Sequence, residues 1–347
     1  MHAIRDHYDL AGNVTQISAN NTVNYTYDAL NRLSTVSESS TGTTTYTYDV
    51  VGNLQSVTYP NGVAHTYTYD QKNRLTNLAA AGGAAPANFG YAYTLDNAGH
   101  RTSVTEKSGR TVNYGYDNIY RLTSEAIAGD PAANNGAVGY VYDPVGNRTQ
   151  VTSTLAAIPA GGVGYDADDR LTSDAYDANG NTIGSGGINS AYDFENHLIQ
   201  RGAGISIVYD GDGNRASKTV GGITTTYLVD DINPTGYPQV IYEGFSGGAG
   251  ARELYHMYVY GLERISQNRN FFAGTQQTQI SYYVYDGHGS TRALTDPSGS
   301  VTDTYDYDAF GNEIHSTGAT PNEFLFAGEQ YDSDLHLYYN RARYPKL

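Results

Sequence analysis

The side chains of this chain that could do chemistry are carboxylates and amides crowded into short turns. Asp210, Asp212 and Asn214 alternate as the first oxygen ligands of an EF-hand calcium loop do. Arg215, however, stands where that loop needs glycine, and Gly221 where it needs a bidentate glutamate. Asp177, Asn179 and Asn181 begin the same way and fail the same way, with Thr182 and Ile188 at those positions. Both segments read as hairpin turns, and no metal ion or cofactor is expected. The nine histidines are scattered, with no pair at H-x-x-x-H spacing. Asp296-Pro297-Ser298-Gly299 resembles an acid cleavage motif only superficially and reads as a proline-containing turn. There is no cysteine and no serine nucleophile elbow, so no intrinsic enzyme activity is expected. What remains is tyrosine and arginine. Tyr338, Tyr339, Arg341 and Arg343 form an aromatic and basic cluster near the C-terminus, the candidate binding surface. As an alternative, Arg341 and Arg343 form an ion-paired strand between tyrosines.

The elements that must carry these residues are repeats. Fourteen Tyr-Asp dipeptides run through the 347 residues. Tyr25-Thr26-Tyr27-Asp28-Ala29-Leu30-Asn31-Arg32-Leu33 is one copy, and two more follow around Asp49 and Asp70. Alternate tyrosines share one face of a strand. Aspartate opens a turn by accepting hydrogen bonds from the backbone ahead of it. Three residues after each aspartate comes Gly12, Asn31, Gly52, Asn73, Gly99, Gly146, Asp169, Gly180, Asn196, Gly213, Gly289 or Gly311. These residue types tolerate positive φ, as a type I turn followed by a G1 bulge requires. The turn formers are thus Asp28 with Asn31, Asp49 with Gly52, Asp70 with Asn73, Asp143 with Gly146 and Asp308 with Gly311. Tyr120, three after Asp117, breaks the rule, and a different turn is expected there.

In this geometry the residue before aspartate faces the residue five after it: Leu33, Leu54, Leu75, Leu122, Leu171 and Leu198, or Arg101, Arg148 and Arg215. A second apolar residue eight after aspartate, such as Val36 or Val57, has the wrong parity for that face. Either both faces bury something or a bulge intervenes. Aspartate spacings of 19, 21, 21, 26, 21 and 26 residues from Asp9 to Asp143 fit serial hairpins. The spacing contracts to 11, 16 and 17 between Asp166 and Asp210, which implies shorter hairpins. The fold class expected is all-β, a long antiparallel sheet of serial hairpins that twists into a curled or spiral ribbon. Small-residue stretches at Ala79 to Pro86, Gly129 to Gly136, Leu155 to Gly164 and Tyr237 to Arg252 read as loops. Most tyrosines are expected to cover the inner face of the sheet; exposed rings stacking on sugars or apolar cargo are the other reading.

Composition bounds the partners. The net charge of −16 disfavours nucleic acid. No 18-residue apolar run suggests a transmembrane helix. Residues 1–7 lack a signal-peptide core, so export would rely on another polypeptide segment or a dedicated machine.

The repeats resemble the YD repeats of the Rhs and teneurin-type families, from Tyr8 onward. The last part is similar to the Rhs-repeat-associated core domain. Tyr283-Val284-Tyr285-Asp286-Gly287-His288-Gly289, Tyr307-Asp308-Ala309-Phe310-Gly311-Asn312, Phe326-Ala327-Gly328-Glu329-Gln330-Tyr331-Asp332 and Leu337 to Tyr344 carry that likeness. The resemblance divides the chain into a YD-repeat β-spiral, 1–280, and a truncated core-like region, 281–347. It implies part of a hollow β-shell that encloses a C-terminal effector of a polymorphic toxin system. It also implies a secreted or cell-surface location. The partners implied are the remaining repeats of a larger polypeptide or a neighbouring shell subunit, and an enclosed effector. Some family members cut themselves beyond the core. Here Pro345-Lys346-Leu347 replaces the family's Asp-Pro-containing segment, so self-cleavage is not expected. The chain resembles the C-terminal part of a larger protein or a standalone remnant. The alternative function is a surface module that binds glycans or a protein partner.

Overall fold

The computed structural model describes residues 4–83, 89–247, 252–341 and 344. Each hairpin follows from its turn. At Asp28 the carboxylate Oδ1 accepts the backbone N–H groups of Leu30 and Arg32, at 2.8 and 3.0 Å. The Asn31 N–H closes the turn on the Asp28 carbonyl at 3.0 Å, with Asn31 at φ 58°. Asp49, Asp70, Asp143 and Asp308 repeat this arrangement, with Gly52, Asn73, Gly146 and Gly311 at positive φ.

Tyr120 departs from expectation by not departing. It sits at φ 67°, and its N–H bonds the Asp117 carbonyl at 3.0 Å, in the same turn as the others. The Asp117 carboxylate holds Ile119 and Arg121 as usual, and the Tyr120 ring stacks on His100 at 4.3 Å. The turn's hydrogen bonds outweigh the steric cost of a left-handed tyrosine.

The parity question is answered by bulges. Tyr25 pairs with Val36 and Thr26 with Thr35, but Tyr27 pairs with Leu33. The extra residue turns Leu33 and Val36 to one face, and both are buried. The same register shift occurs before Tyr48, Tyr69, Tyr116, Tyr142 and Tyr209. Each of these tyrosines then reaches back one hairpin. The hydroxyls of Tyr27, Tyr48, Tyr69, Tyr116, Tyr142 and Tyr209 donate to the carbonyls of Val14, Leu33, Leu54, Arg101, Leu122 and Leu198, at 2.7–3.0 Å.

Hairpins thus stack in chain order, but into two sheets instead of one. The first has fifteen strands, from Arg5–Tyr8 to Gly161–Gly162, and the second has fourteen, from Ala175–Tyr176 to Glu313–Thr317. Every strand neighbours its sequence neighbour, all pairs are antiparallel, and neither sheet closes into a barrel. The break falls at the contracted repeats, whose strands of two to five residues make the weakest ladders. The strand Thr275–Tyr285 runs through position 280, so the second sheet is continuous across the boundary drawn from sequence.

Several expected loops are partly strand, with Gly161–Gly162 inside Leu155 to Gly164 and Gly136 opening the strand Gly136–Tyr142. Ala79 to Gly82 end the strand Leu75–Gly82, where Ala80 is fully buried, and Gln239–Ser246 is a strand within the expected Tyr237 to Arg252 loop. Alanine and glycine there make room for close packing between strands instead of loosening the chain. Residues 84–86 and 248–251 of those two segments lie outside the described residues. The largest core joins the two sheets: Val36, Tyr46, Val57 and Val63 of the first pack with Val259, Ile265, Tyr282 and Val284 of the second. Fifteen of the 34 tyrosines are buried in the core.

Candidate functional site

Two features set the chain's interior surface: the seam between the sheets and the seat of the C-terminal hairpin. At the seam, Tyr46, Tyr93 and Tyr140 stand at equal intervals of forty-seven residues on the first sheet. Each receives a turn of the second. The Gly261 turn packs against the Tyr46 ring so closely that a Cβ there would lie 2.8 Å from Cζ. The Gly287 N–H donates to the Tyr93 hydroxyl at 2.7 Å. The Phe310 ring meets Tyr140 edge-on at 4.7 Å, and the Ala309 N–H donates to Glu125, which also accepts from the Tyr140 hydroxyl. Asn61 bonds Thr295 and the Asp296 carbonyl, the Tyr282 hydroxyl bonds the Thr41 carbonyl, and Arg292 pairs with Glu106 at 3.1 Å. Burial, reinforced by Asp308, pushes the Glu125 carboxyl up to about 7.

The C-terminal segment folds back onto the second sheet. A 3₁₀ turn at Phe326–Gly328 leads into a two-stranded hairpin, Gln330–Asp332 with Leu337–Tyr339. Asp332, fully buried, takes Arg215 at 2.8 Å and Lys218 at 2.7 Å. The Arg215 guanidinium lies between the Tyr227 and Tyr339 rings, at 4.2 and 4.6 Å. The Gln330 side-chain amide donates to both Glu243 and Glu323, at 3.0 and 2.6 Å. Burial and the facing Glu243 raise Glu323. Burial alone would lower His256, but Glu243 and Glu253 overcome it and raise His256 to about 9.

The candidate binding residues lie in this packed seat. Tyr338 and Tyr339 are buried, at 4% and 8% exposure, so they do not form the exposed aromatic surface expected. Hydrophobic packing claims them: the Tyr338 hydroxyl accepts from the Phe326 N–H, and the Tyr339 hydroxyl from the Arg215 N–H. Arg341 is half-buried, pairs with Glu329 at 3.3 Å and stacks on Tyr237. Arg343 lies outside the described residues. The EF-like segments are turns: Asp210 accepts from Asp212 and Asn214, and Asp177 from Asn179 and Asn181. Asp296 makes the same turn, closed by Gly299 at φ 83°. Among the described residues, Asp193, Glu195 and His197 bring three ligand-type atoms within 4.8 Å of one another, but Asp193 is already engaged as a turn former by Glu195 and His197.

Sequence reading missed the buried ionic network. Arg215 was legible only as a partner of Tyr209, because its true counter-ion, Asp332, lies 117 residues away. Glu125, Glu243, Arg264 and Arg292 gave no local signal, since each sits in an ordinary polar position of a strand pattern.

Serial antiparallel hairpins in long sheets, tied by turn aspartates and back-reaching tyrosines, define a repeat-built all-β protein. The teneurin YD-shell family model matches residues 1–85, and the RHS repeat model matches residues 285–321. Stretches near both ends of the chain thus match models of the YD-shell and RHS-repeat families. Its fold is that of a chain in the Tc holotoxin pore of Photorhabdus luminescens, with a TM-score of 0.82 at 17% identity, covering 99% of this chain and 19% of that one. A TcdB2-TccC3 crystal structure gives a TM-score of 0.80 at 18% identity, over 99% and 20%. Among curated relatives, the tRNA3(Ser)-specific nuclease WapA of Bacillus spizizenii is 31% identical over 179 residues, 49% of this chain and 7% of that protein. The tRNA nuclease WapA of Bacillus subtilis is 30% identical over the same length and shares. The chain therefore spans about a fifth of the solved chains and less than a tenth of the curated relatives it matches. Among the described residues no helix is long and apolar enough to cross a membrane.

Proposed function

We propose that this chain is a structural segment of a β-shell that encloses an effector polypeptide in an Rhs-type toxin system. The observation that carries this reading is the seam. Turns of the second sheet are seated one by one on tyrosines of the first, and a shared core joins the two sheets into one wall. A wall that shields a passenger needs that rigidity and continuous backbone pairing more than it needs a catalytic group. In this reading residues 1–280 supply the repeat wall and 281–347 the core-like seat. Further repeats or a neighbouring subunit complete the enclosure, and the protein acts outside the producing cell or at its surface. The chain itself is non-catalytic. The nuclease activity in the names of the WapA relatives belongs to proteins of which this chain matches 7%.

The test is protease protection. The chain is expressed with its natural flanking sequence, digested with a broad-specificity protease and followed by intact-mass measurement. Flanking polypeptide that survives while the unfolded control is degraded supports enclosure. Complete digestion of the flank beside an intact repeat region removes it.

A further inference from the structure

A second interior feature goes beyond enclosure and does not rest on it. Between the Gly261 turn, the Thr235 to Val240 segment and the C-terminal strap lies a cavity of about 320 Å³. Two adjacent residues of opposite charge, Glu263 and Arg264, line it with no ion-pair partner among the described residues. Arg264 is 5% exposed, and its one hydrogen bond runs from Nε to the Tyr260 hydroxyl at 3.0 Å. No carboxylate among the described residues pairs with it. Phe324 covers one face of the guanidinium at 3.2 Å, with Tyr258, Tyr260 and Tyr283 around it. Rings satisfy the faces of a guanidinium, whereas its N–H bonds lie in the plane and need acceptors. The terminal nitrogens have none among the described residues.

Glu263 is the complement. Its carboxylate makes no hydrogen bond or ion pair among the described residues. Its side chain is exposed at the mouth of the cavity, with Oε1 4.0 Å from where a Cβ on Gly289 would stand. Burial and the nearby Asp286 push Glu263 up to about 7, while Arg264 acts in the opposite direction. From the first sheet, Tyr46 and Tyr67 face it. From the second come Tyr285 and His288, and from the strap the Glu329–Arg341 pair.

We propose that this cavity binds a small zwitterion, an amino acid or short peptide, with its carboxylate on Arg264 and its ammonium on Glu263. The volume exceeds that of a single residue and is far below that of a folded domain. The surrounding tyrosines supply an apolar wall for a side chain.

The test uses glycylglycine as probe, titrated against the full chain by calorimetry or ligand-observed NMR. N-acetylglycine, which lacks the ammonium, and glycinamide, which lacks the carboxylate, are the controls. Glycylglycine should bind saturably, with each control about tenfold weaker. Glu263→Gln keeps the shape and removes the charge. It should drop glycylglycine to the level of N-acetylglycine and leave N-acetylglycine unchanged. Glycylglycine affinity should rise between pH 6 and pH 7.5 as Glu263 ionises, and the rise should vanish in Glu263→Gln. Absence of saturation at roughly 10 mM probe overturns the proposal. So does equal binding of all three compounds, or a Glu263→Gln variant that binds like the parent.

Discussion

At the residue scale, the turn aspartate does two jobs with one carboxylate. Asp70 shows both: Oδ1 takes the Lys72 and Arg74 N–H groups, and Oδ2 takes the Arg74 guanidinium at 2.7 Å. The bonds to Arg74 lower its carboxyl to about 2. A depressed carboxyl contributes stability above its unfolded value, near 4, and loses it as pH falls through the folded value. Turn aspartates therefore weaken the fold in strong acid. Replacing Asp49 with alanine removes the acceptor of the Val51 and Asn53 N–H groups and should lower the urea midpoint at unchanged slope. Tyr120 gives the opposite sign. A tyrosine at φ 67° carries a steric cost of about 1–2 kcal/mol that asparagine largely avoids. Tyr120→Asn gives up the His100 stack, yet should still gain about 0.5 kcal/mol in thermal unfolding. A lower melting temperature for that variant would show that the stack holds the turn.

At the scale of elements, the hairpins were legible in the sequence because their determinants are local. A positive-φ residue three after aspartate fixes the turn, and the turn fixes the register that opposes Tyr27 to Leu33 and Tyr209 to Arg215. Tyr120 was misjudged because residue preference is only one term in a turn whose hydrogen bonds are all present. The bulge before each Tyr-Asp tyrosine could be posed as a question from the parity of Val36 but not answered. The number of sheets was not legible, nor was the seat of Tyr338 and Tyr339. Both depend on contacts more than a hundred residues apart, such as Asn61 with Thr295 and Arg215 with Asp332. The seam offers a direct check on that long-range packing. Gly261→Ala drives a methyl into the Tyr46 ring, and the neighbour on that side cannot swing away from a buried seam. The expected cost is about 1–3 kcal/mol. Tyr46→Phe alone should be milder, and the double variant should recover part of the loss, because removing the hydroxyl vacates the nearest point of collision. Strict additivity of the two would mean that the turn and the ring do not touch.

At the scale of the whole molecule, one junction of the two sheets runs through a buried carboxyl with a raised pKa, that of Glu125, and other raised carboxyls lie elsewhere in the fold. Glu125 at the Ala309 turn and Glu263 beside Asp286 are each raised to about 7, and Asp230 to about 6. Glu323 in the C-terminal seat is raised as well. The sign runs opposite to that of the turns. A carboxyl raised in the folded state contributes fully below its unfolded value, near 4, and that contribution is lost as pH climbs through about 7. His256, raised to about 9, adds stability that is full below its unfolded value, near 6.5, and is lost as pH rises from there through about 9. Turn aspartates fail first in acid and the raised carboxyls on the climb to neutrality, so the fold should be most stable between about pH 4 and 5. Unfolding free energy measured in urea should fall between pH 5 and 8, by an amount on the order of 1–3 kcal/mol for Glu125 alone. Glu125→Gln imitates the protonated carboxyl and keeps an acceptor for the Ala309 N–H. It should flatten that decline without lowering stability at pH 5. Hydrogen exchange should place the pH-sensitive protection in the strands Leu122–Ala128 and Glu313–Thr317. If the variant keeps the parent's slope, the Glu125 carboxyl is ionised in the folded protein at neutral pH. The seam would then be held by a charged acceptor, and its strength would be greatest where this account makes it weakest.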